Sequence, residues 1–180
     1  QSGAPLSGPL LHLGKGILDL RFTKDGTRLL ARSCSDQARA ILRPETDGAA
    51  AVVDAVSGLG VFPIVTNAAR TAFSPDDRWL AVARTNFVIE VLEASTGRHL
   101  LDLSGHTNEI TMLSFSRDGS LIASASRDQT VRLWRVPSGE SVGQPIRHVQ
   151  AVVRVVFSPD GRRLATATEA SLGGRSCSIH

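Results

Sequence analysis

One short phrase recurs four times along this chain and constrains its fold more than any other feature. Each copy has a phenylalanine, then a short polar turn that contains an aspartate, then an aliphatic residue seven positions after the phenylalanine. The copies begin at Phe22, Phe73, Phe115 and Phe157, which lie 51, 42 and 42 residues apart. A period of this size is typical of repeat proteins, in which one unit cannot bury its apolar face alone. The sequence therefore predicts a stack of similar units rather than one domain around one pocket.

The third copy shows what one unit contains. Residues 110–115, 121–126 and 130–136 are short runs rich in apolar and β-branched residues, separated by turns that contain aspartate or glycine. Residues 141–146 can supply a fourth, more polar edge strand. The first two runs are apolar at consecutive positions, which indicates burial on both faces. Four short antiparallel strands per unit, stacked face to face, make the blade of a β-propeller, so the predicted fold class is all-β.

Several residues of the third copy resemble the signature of the WD-repeat family. They are Gly105-His106, Ser124, Asp128 and Val131-Arg-Leu-Trp134, with Arg135 where that family often has a second aspartate. The resemblance implies that His106, Ser124, Asp128 and Trp134 form a hydrogen-bonded chain that holds the blade together. The residue types suit this role, since a buried indole N–H needs an acceptor and a carboxylate can orient an imidazole.

The second and fourth copies keep only part of this set of residues. In the fourth copy His148 and Thr166 stand where the third has His106 and Ser124, which predicts a partial network, and Ala170 replaces the turn aspartate. The second copy has, at the four positions, Ile64, Val82, Asn86 and Leu92. Apolar packing is therefore expected to replace the polar network in the second copy.

The first copy departs most from the pattern. Its His12 is out of position by one residue, and Asp36 is its candidate turn residue. Its strands are predicted near residues 16–22, 28–34, 38–43 and 49–56, with about nine extra residues between the fourth strand and the next unit.

Together the copies predict one WD-repeat propeller segment over residues 1–170. The predicted repeats span residues 12–60, 61–103, 104–146 and 147–170, and residues 171–180 are expected to form an irregular tail because they resemble no third strand. This makes about three and a half blades, whereas propellers have roughly four to eight. The sequence therefore predicts an incomplete ring or a fragment of a larger propeller protein, with the joining of two copies as the alternative.

Two groups of residues have the residue types of a catalytic site or a calcium site but not the surroundings that such a site needs. His106, Ser124 and Asp128 are the types of a hydrolase triad, but Ser124 lies in the middle of an apolar strand, whereas a nucleophile needs an exposed position. Single turn aspartates recur in every copy, and one carboxylate per turn is a poor calcium site. These are Asp25, Asp76, Asp118 and Asp160, and they are interpreted as turn caps, with Asp76-Asp77 as a solvated turn. We expect no catalytic residue, no metal and no cofactor.

Composition and charge narrow the classes of partner. The net charge is only +3 and the arginines are spread through the repeats, so a nucleic-acid footprint, which should cluster, is not expected. No stretch approaches the roughly 18 consecutive apolar residues of a membrane span. Cys34 and Cys177 have no paired spacing, which favours a reducing compartment, and we expect the cytoplasm.

The predicted function is that of a non-catalytic scaffold for protein–protein interaction. The resemblance implies this role, with other proteins or peptides as partners, and the open faces of the end blades add self-association. One alternative is a sensor propeller attached to a kinase or nucleoside-triphosphatase domain. The other is a propeller hydrolase, which would need histidines or carboxylates at the starts of the first strands. Those places hold Gly16, Ala68 or Ala69, Asn108, Glu109 and Gln150.

Overall fold

The computed structural model describes residues 17–33, 49–57, 59–63, 65–169 and 177–179. Within these ranges the chain forms fifteen strands and no helix, which confirms the all-β class. No helix of the described part is therefore long and apolar enough to cross a membrane.

The strands form four antiparallel sheets, which we call blades 1 to 4 in chain order. Blade 1 contains β1 (Ile17–Phe22), β2 (Arg28–Ser33), β3 (Ala49–Asp54) and β4 (Val65–Thr66). Blade 2 contains β5 (Ala68–Phe73), β6 (Trp79–Arg84), β7 (Ile89–Glu93) and β8 (His99–Leu103). Blade 3 contains β9 (Ile110–Phe115), β10 (Leu121–Ser126), β11 (Thr130–Arg135) and β12 (Ile146–Arg147). Blade 4 contains β13 (Val152–Phe157), β14 (Leu164–Thr168) and β15 (Cys177–Ile179).

The apolar core lies between the blades, in three clusters that each draw on two neighbours. Leu30 of blade 1 packs with Leu80 of blade 2, and Ala81 of blade 2 belongs to the next cluster with Ile122 of blade 3. The adjacent Ala123 lies in the third cluster with Val155 of blade 4. Consecutive residues of a second strand thus face opposite neighbours, which is why these strands are apolar at successive positions.

The predicted strand order of blade 1 is wrong in its second half. The run at 49–56, predicted as the fourth strand, supplies β3, which pairs with β2 as the third strand. The fourth strand is β4, inside the predicted second repeat, so the boundary at residue 60 moves beyond residue 66. The reason is that the extra residues, 34–48, lie between β2 and β3. The predicted strand at 38–43 lies outside the described residues, as do His12, Gly16, Cys34, Asp36, Ile64 and Ala170.

Two other predicted strands differ from the structure. In blade 3 the edge strand predicted over 141–146 is reduced to a bridge at Ser141 and to β12, because Gly143 has a φ of 71° and Pro145 has no N–H to donate. The prediction of an irregular tail is wrong for Cys177–Ile179, which forms β15 beside β14. The main-chain groups of β14 need a partner on that side, and a three-residue strand is too short to leave a clear sequence pattern.

The recurring phrase builds the same turn in every blade. In blade 3, the hydroxyl of Ser116 donates to Asp118 Oδ1 at 2.6 Å, and the same oxygen accepts the N–H of Ser120 at 3.1 Å. Ser116 Oγ also accepts the N–H of Leu121 at 2.9 Å, so the turn is closed from both sides. These hydrogen bonds, the Ser116 hydroxyl first, lower the pKa of Asp118 to about 2. The aspartates therefore cap turns, with hydroxyls at Thr23, Ser74, Ser116 and Ser158.

The interpretation of Asp76-Asp77 as a solvated turn is wrong for Asp77. It takes the place that Gly119 has in blade 3, and both residues have positive φ, 55° and 72°. Its side chain is only 13% exposed, lies 3.6 Å from Arg21 Nη2 and accepts the main-chain N–H of Lys24. Asp77 therefore connects the turns of blades 1 and 2 rather than facing solvent.

Candidate functional site

The structure brings the four predicted network residues of blade 3 into one hydrogen-bonded chain. His106 Nδ1 lies 2.7 Å from Asp128 Oδ2, and His106 Nε2 lies 2.7 Å from Ser124 Oγ. Trp134 Nε1 donates to the same Ser124 oxygen at 2.9 Å. The residues come from the segment before β9, from β10, from the β10–β11 turn and from β11, so the chain crosses most of the blade.

The direction of the protons follows from the partners. The indole N–H of Trp134 can only donate, so Ser124 Oγ accepts it and donates its own hydrogen to His106 Nε2. The imidazole then donates from Nδ1 to Asp128. Burial, the largest cause, lowers the pKa of His106 despite the neighbouring carboxylate of Asp128, so the ring is neutral at pH 7.

Asp128 is the most connected residue of the network. Besides His106 it accepts the N–H of Thr107 at 3.1 Å, the N–H of Thr130 at 2.9 Å and the hydroxyl of Thr130 at 2.6 Å. Burial alone would raise the pKa of Asp128, but the hydrogen bonds from Thr130 and His106 outweigh it and hold the pKa below its ordinary value. An ionised Asp128 and a neutral His106 are the matched states.

In this geometry the Ser124 hydroxyl is not placed to act as a nucleophile. Ser124 is fully buried, and its oxygen holds the Trp134 N–H while its hydrogen points to His106. A nucleophilic serine must instead reach a substrate. The arrangement resembles a triad in residue types only.

The partial network predicted for blade 4 has its two residues on separate elements. Thr166 is buried in β14, at the register that Ser124 has in β10. His148 lies after β12 and donates its main-chain N–H to Gln129 O at 2.8 Å. Whether the two side chains act together stays a prediction.

Blade 2 carries apolar residues where blade 3 carries the network. Val82 and Leu92 are buried in the cluster between blades 1 and 2. Asn86 lies exposed in the β6–β7 turn and accepts only a 3.3 Å hydrogen bond from Val88 N among the bonds described for its side chain. Apolar packing thus fills the positions of Ser124 and Trp134.

The two edges of the stack of blades differ in how closely they repeat from blade to blade. The phrase turns form one edge, which we call the uniform edge, with the same hydroxyl–carboxylate cap in each blade. The opposite edge, where first strands begin and second strands end, changes from blade to blade, and we call it the variable edge. In blade 2 it has Arg84 bonded to Glu90 and to Thr66 O.

Across blades 3 and 4 the variable edge carries a charged bridge. Arg127 Nε lies 3.2 Å from Glu109 Oε2, and Arg127 Nη1 lies 2.6 Å from Glu169 Oε1. Arg127 and Glu169 occupy the same position in successive blades, where blade 2 has Thr85. These half-exposed side chains are functional candidates that sequence reasoning missed, and the only signal was their difference at an equivalent position.

Sequence comparison identifies one repeat directly. Residues 97–135, which include all four residues of the blade 3 network, match the family model described as "WD domain, G-beta repeat". The chain is 37% identical over 103 residues to an uncharacterised WD repeat-containing protein of Synechocystis, which covers 57% of this chain and 29% of that protein. It is 39% identical over 83 residues to Periodic tryptophan protein 2 of Saccharomyces cerevisiae, covering 46% and 9%.

Comparison of structures gives the same fold. The solved structure of U3-55K superposes with a TM-score of 0.67 at 20% identity, covering 85% of this chain and 46% of that one. Human WD repeat and SOCS box-containing protein 1 is 37% identical over 99 residues, covering 54% of this chain and 24% of the relative. The chain thus spans less than a third of the curated relatives it matches here. Residues 97–135 therefore match a WD repeat, and the chain as a whole is similar in sequence and fold to WD-repeat proteins.

Proposed function

We propose that this chain is a non-catalytic scaffold that binds other proteins or peptides. The observation that carries the proposal is the position of the His106, Ser124 and Asp128 side chains inside blade 3. Ser124 is fully buried and bonded on both sides, so the group with triad chemistry is used to build the blade. The two edges of the stacked sheets are accessible, and rigid scaffolds of this kind present binding residues on their loops.

The variable edge is the proposed docking surface. On the uniform edge the carboxylates are already occupied by the hydroxyls and N–H groups of their own turns. On the variable edge Arg84, Arg127 and Glu169 are partly exposed and arranged differently in each blade. Specific recognition needs such differences, because a surface that repeats itself offers several equivalent docking positions.

The names of two relatives are consistent with a role in binding other proteins. One combines WD repeats with a SOCS box, and another is named U3 small nucleolar RNA-associated protein 21. For this chain we propose the cytoplasm as the compartment, because it has only two cysteines and they have no paired spacing in the sequence. Imaging of the tagged chain decides this, and accumulation in the nucleolus would contradict it.

The test compares two pairs of substitutions in the tagged chain. Arg84→Ala with Arg127→Ala alters the variable edge, and Arg117→Ala with Arg162→Ala alters exposed arginines of the uniform edge. After chemical cross-linking and quantitative mass spectrometry, the first pair should reduce recovery of the main bound proteins by roughly tenfold or more, since few residues carry most of an interface. The second pair should leave recovery unchanged, and the thermal midpoints verify that both fold.

Two results would contradict the proposal. If both pairs lower recovery equally, the binding is general electrostatics rather than docking on the variable edge. If the purified chain hydrolyses ester or phosphate substrates and Ser124→Ala abolishes this, the chain is an enzyme.

A further inference from the structure

We propose that the cleft between the phrase turns of blades 3 and 4 binds a carboxylate group of a partner protein. The cleft has a volume of about 390 Å³, and its walls include Arg117 and Ser120 of blade 3 and Gly161 of blade 4. It lies on the uniform edge, so the partner bound there is additional to the proteins bound at the variable edge, and the two proposals can fail independently. The ligand is identified by comparing the three junctions between neighbouring blades.

At the junction of blades 1 and 2 the chain itself supplies a carboxylate. Asp77 lies four residues after Phe73 and has a φ of 55°, and its Oδ2 accepts the main-chain N–H of Lys24 in the turn of blade 1. The other oxygen, Oδ1, lies 3.6 Å from Arg21 Nη2. A carboxylate therefore fits between two phrase turns, where it satisfies an N–H that the preceding turn leaves free.

At the junction of blades 2 and 3 there is no such N–H to satisfy. Pro75 takes the position of Lys24 and has no N–H, and Gly119 takes the position of Asp77. A Cβ added at Gly119 would lie 3.7 Å from Pro75 Cδ and 3.8 Å from Ser74 Cβ, so side chains of blade 2 already occupy this space. This junction is closed without a ligand.

The junction of blades 3 and 4 combines the N–H of the first junction with the glycine of the second. Arg117 takes the position of Lys24, and the described residues include no acceptor for its main-chain N–H. Gly161 takes the position of Asp77 and has a φ of 70°, but it has no side chain to reach back. A Cβ added there would meet nothing within 4 Å. The space that a carboxylate fills beside Lys24 is therefore open beside Arg117.

The hydrogen-bonding groups at the cleft favour an anion over a metal ion. The guanidinium of Arg117 extends across the junction, with Nη1 3.2 Å from Pro159 O, and the exposed Arg162 lies in the turn of blade 4. Asp118 also lines the cleft, but both of its oxygens already accept hydrogen bonds within its own turn. Asp160 caps its turn in the same way through Oδ1. Free donors beside occupied acceptors suit a carboxylate, whereas a hard cation needs several free oxygens.

The neighbouring aspartates do not prevent a carboxylate from lying at such a junction. Asp25 and Asp76 cap the turns of blades 1 and 2 as Asp118 and Asp160 cap those of blades 3 and 4. The Asp77 carboxylate nevertheless lies between the first two turns, with its side chain 13% exposed. The group that fits the open junction is thus an aspartate or glutamate side chain, or the carboxyl end, of another protein.

The experiment follows the Arg117 amide of the isotope-labelled 180-residue chain by NMR while small probes are added at constant ionic strength. N-acetylaspartate N-methylamide carries a side-chain carboxylate, N-acetylglycine carries a terminal one, and N-acetylasparagine N-methylamide is the neutral control. Both carboxylates should shift the Arg117 amide in a saturable way. The neutral probe should bind about tenfold more weakly, because hydrogen bonds to charged groups are stronger. The tighter of the two carboxylates identifies the source of the group.

Gly161→Asp supplies the ligand from within the chain. An aspartate tolerates the left-handed φ at this position and would copy Asp77. Its carboxylate is held at high effective concentration, so the Arg117 amide should shift without any probe and respond to the probes about tenfold more weakly. Gly143→Asp is the matched control, because Gly143 has a φ of 71° and the same open space but does not line the cleft. This variant should respond as the wild type does.

Three results would overturn the proposal. They are an Arg117 amide that neither carboxylate shifts, one that the neutral probe shifts equally, and a response that Gly161→Asp preserves or that Gly143→Asp removes. Thermal midpoints identify a variant that does not fold. Asp77→Gly is then the second test, because it opens the junction of blades 1 and 2 and should make the Lys24 amide respond to the same probes. A Lys24 amide that does not respond in this variant also overturns the proposal.

Discussion

Removing the Asp128 carboxylate should destabilise blade 3, because the carboxylate is buried and accepts several hydrogen bonds. The side chain is only 6% exposed and accepts four hydrogen bonds, from His106, from Thr107 N and from two donors of Thr130. In Asp128→Ala, water can serve the amides at the turn, but the His106 ring, whose side chain is 1% exposed, loses its acceptor. An unsatisfied buried donor costs about 1–3 kcal/mol, and we expect about 2 kcal/mol for this substitution.

The matched control is Asn86→Ala at the same turn of blade 2. Asn86 accepts a single 3.3 Å bond on an exposed turn, so its loss should cost less than about 0.5 kcal/mol. Urea unfolding followed by tryptophan fluorescence gives both midpoints, since Trp134 belongs to the network. Combining Asp128→Ala with Ser124→Ala should cost less than the sum of the two, because the residues share one network. Equal losses at Asp128 and Asn86, or strict additivity, would refute the reasoning.

Three further results follow from individual residues. The free energy of unfolding should fall as the pH drops below about 6.5, because the unfolded chain protonates His106 there while burial lowers the His106 pKa in the fold. Urea midpoints from pH 8 to 5 test this, and His106→Gln should flatten the dependence of the midpoint on pH. Gly97→Ala should destabilise the chain by about 1 kcal/mol more than Gly161→Ala. Both glycines have φ near 70°, but at Gly97 the new Cβ would lie 2.4 Å from Phe62 Cγ, whereas at Gly161 it would meet nothing within 4 Å. Denaturant midpoints compare the two variants, and equal losses would show that the Phe62 side chain moves away without cost. Asp77→Gly should reduce hydrogen-exchange protection of β1 and β2 and leave β10 unchanged, because it removes the link to Arg21 and Lys24; loss of protection throughout would contradict this.

Blade 3 could be predicted from the sequence because each of its signals is local. The turns at Asp118 and Asp128 fix where strands end, and consecutive apolar residues such as Ile122 and Ala123 show that both faces are buried. The network residues were found through resemblance. Spacing alone does not show that His106 and Asp128, 22 positions apart, lie 2.7 Å from each other.

The features that the sequence did not indicate depend on neighbours rather than on local pattern. The place of the insertion in blade 1 is decided by whether residues 49–54 pair with β2, and an apolar run fits either strand position. In the sequence Asp77 belongs to a polar turn, and the approach of Arg21 and Lys24 from blade 1 makes it an inter-blade contact. The link from Arg70 to Thr111 O joins residues of different repeats and leaves no periodic signal.

The contrast between blades 2 and 3 explains how the copies can lose the network and keep the fold. The positions of Ser124 and Trp134 face the preceding blade, and blade 2 fills them with the buried Val82 and Leu92. Either solution satisfies the physical requirement, since a fully bonded polar set and a fully apolar set both leave no buried group without a partner. An intermediate set, such as a buried imidazole without its carboxylate, satisfies neither. The network therefore fixes the segment before β9 to the β10–β11 turn of one blade, while stacking between blades, with its arginine links, carries the fold through the copies that lack it.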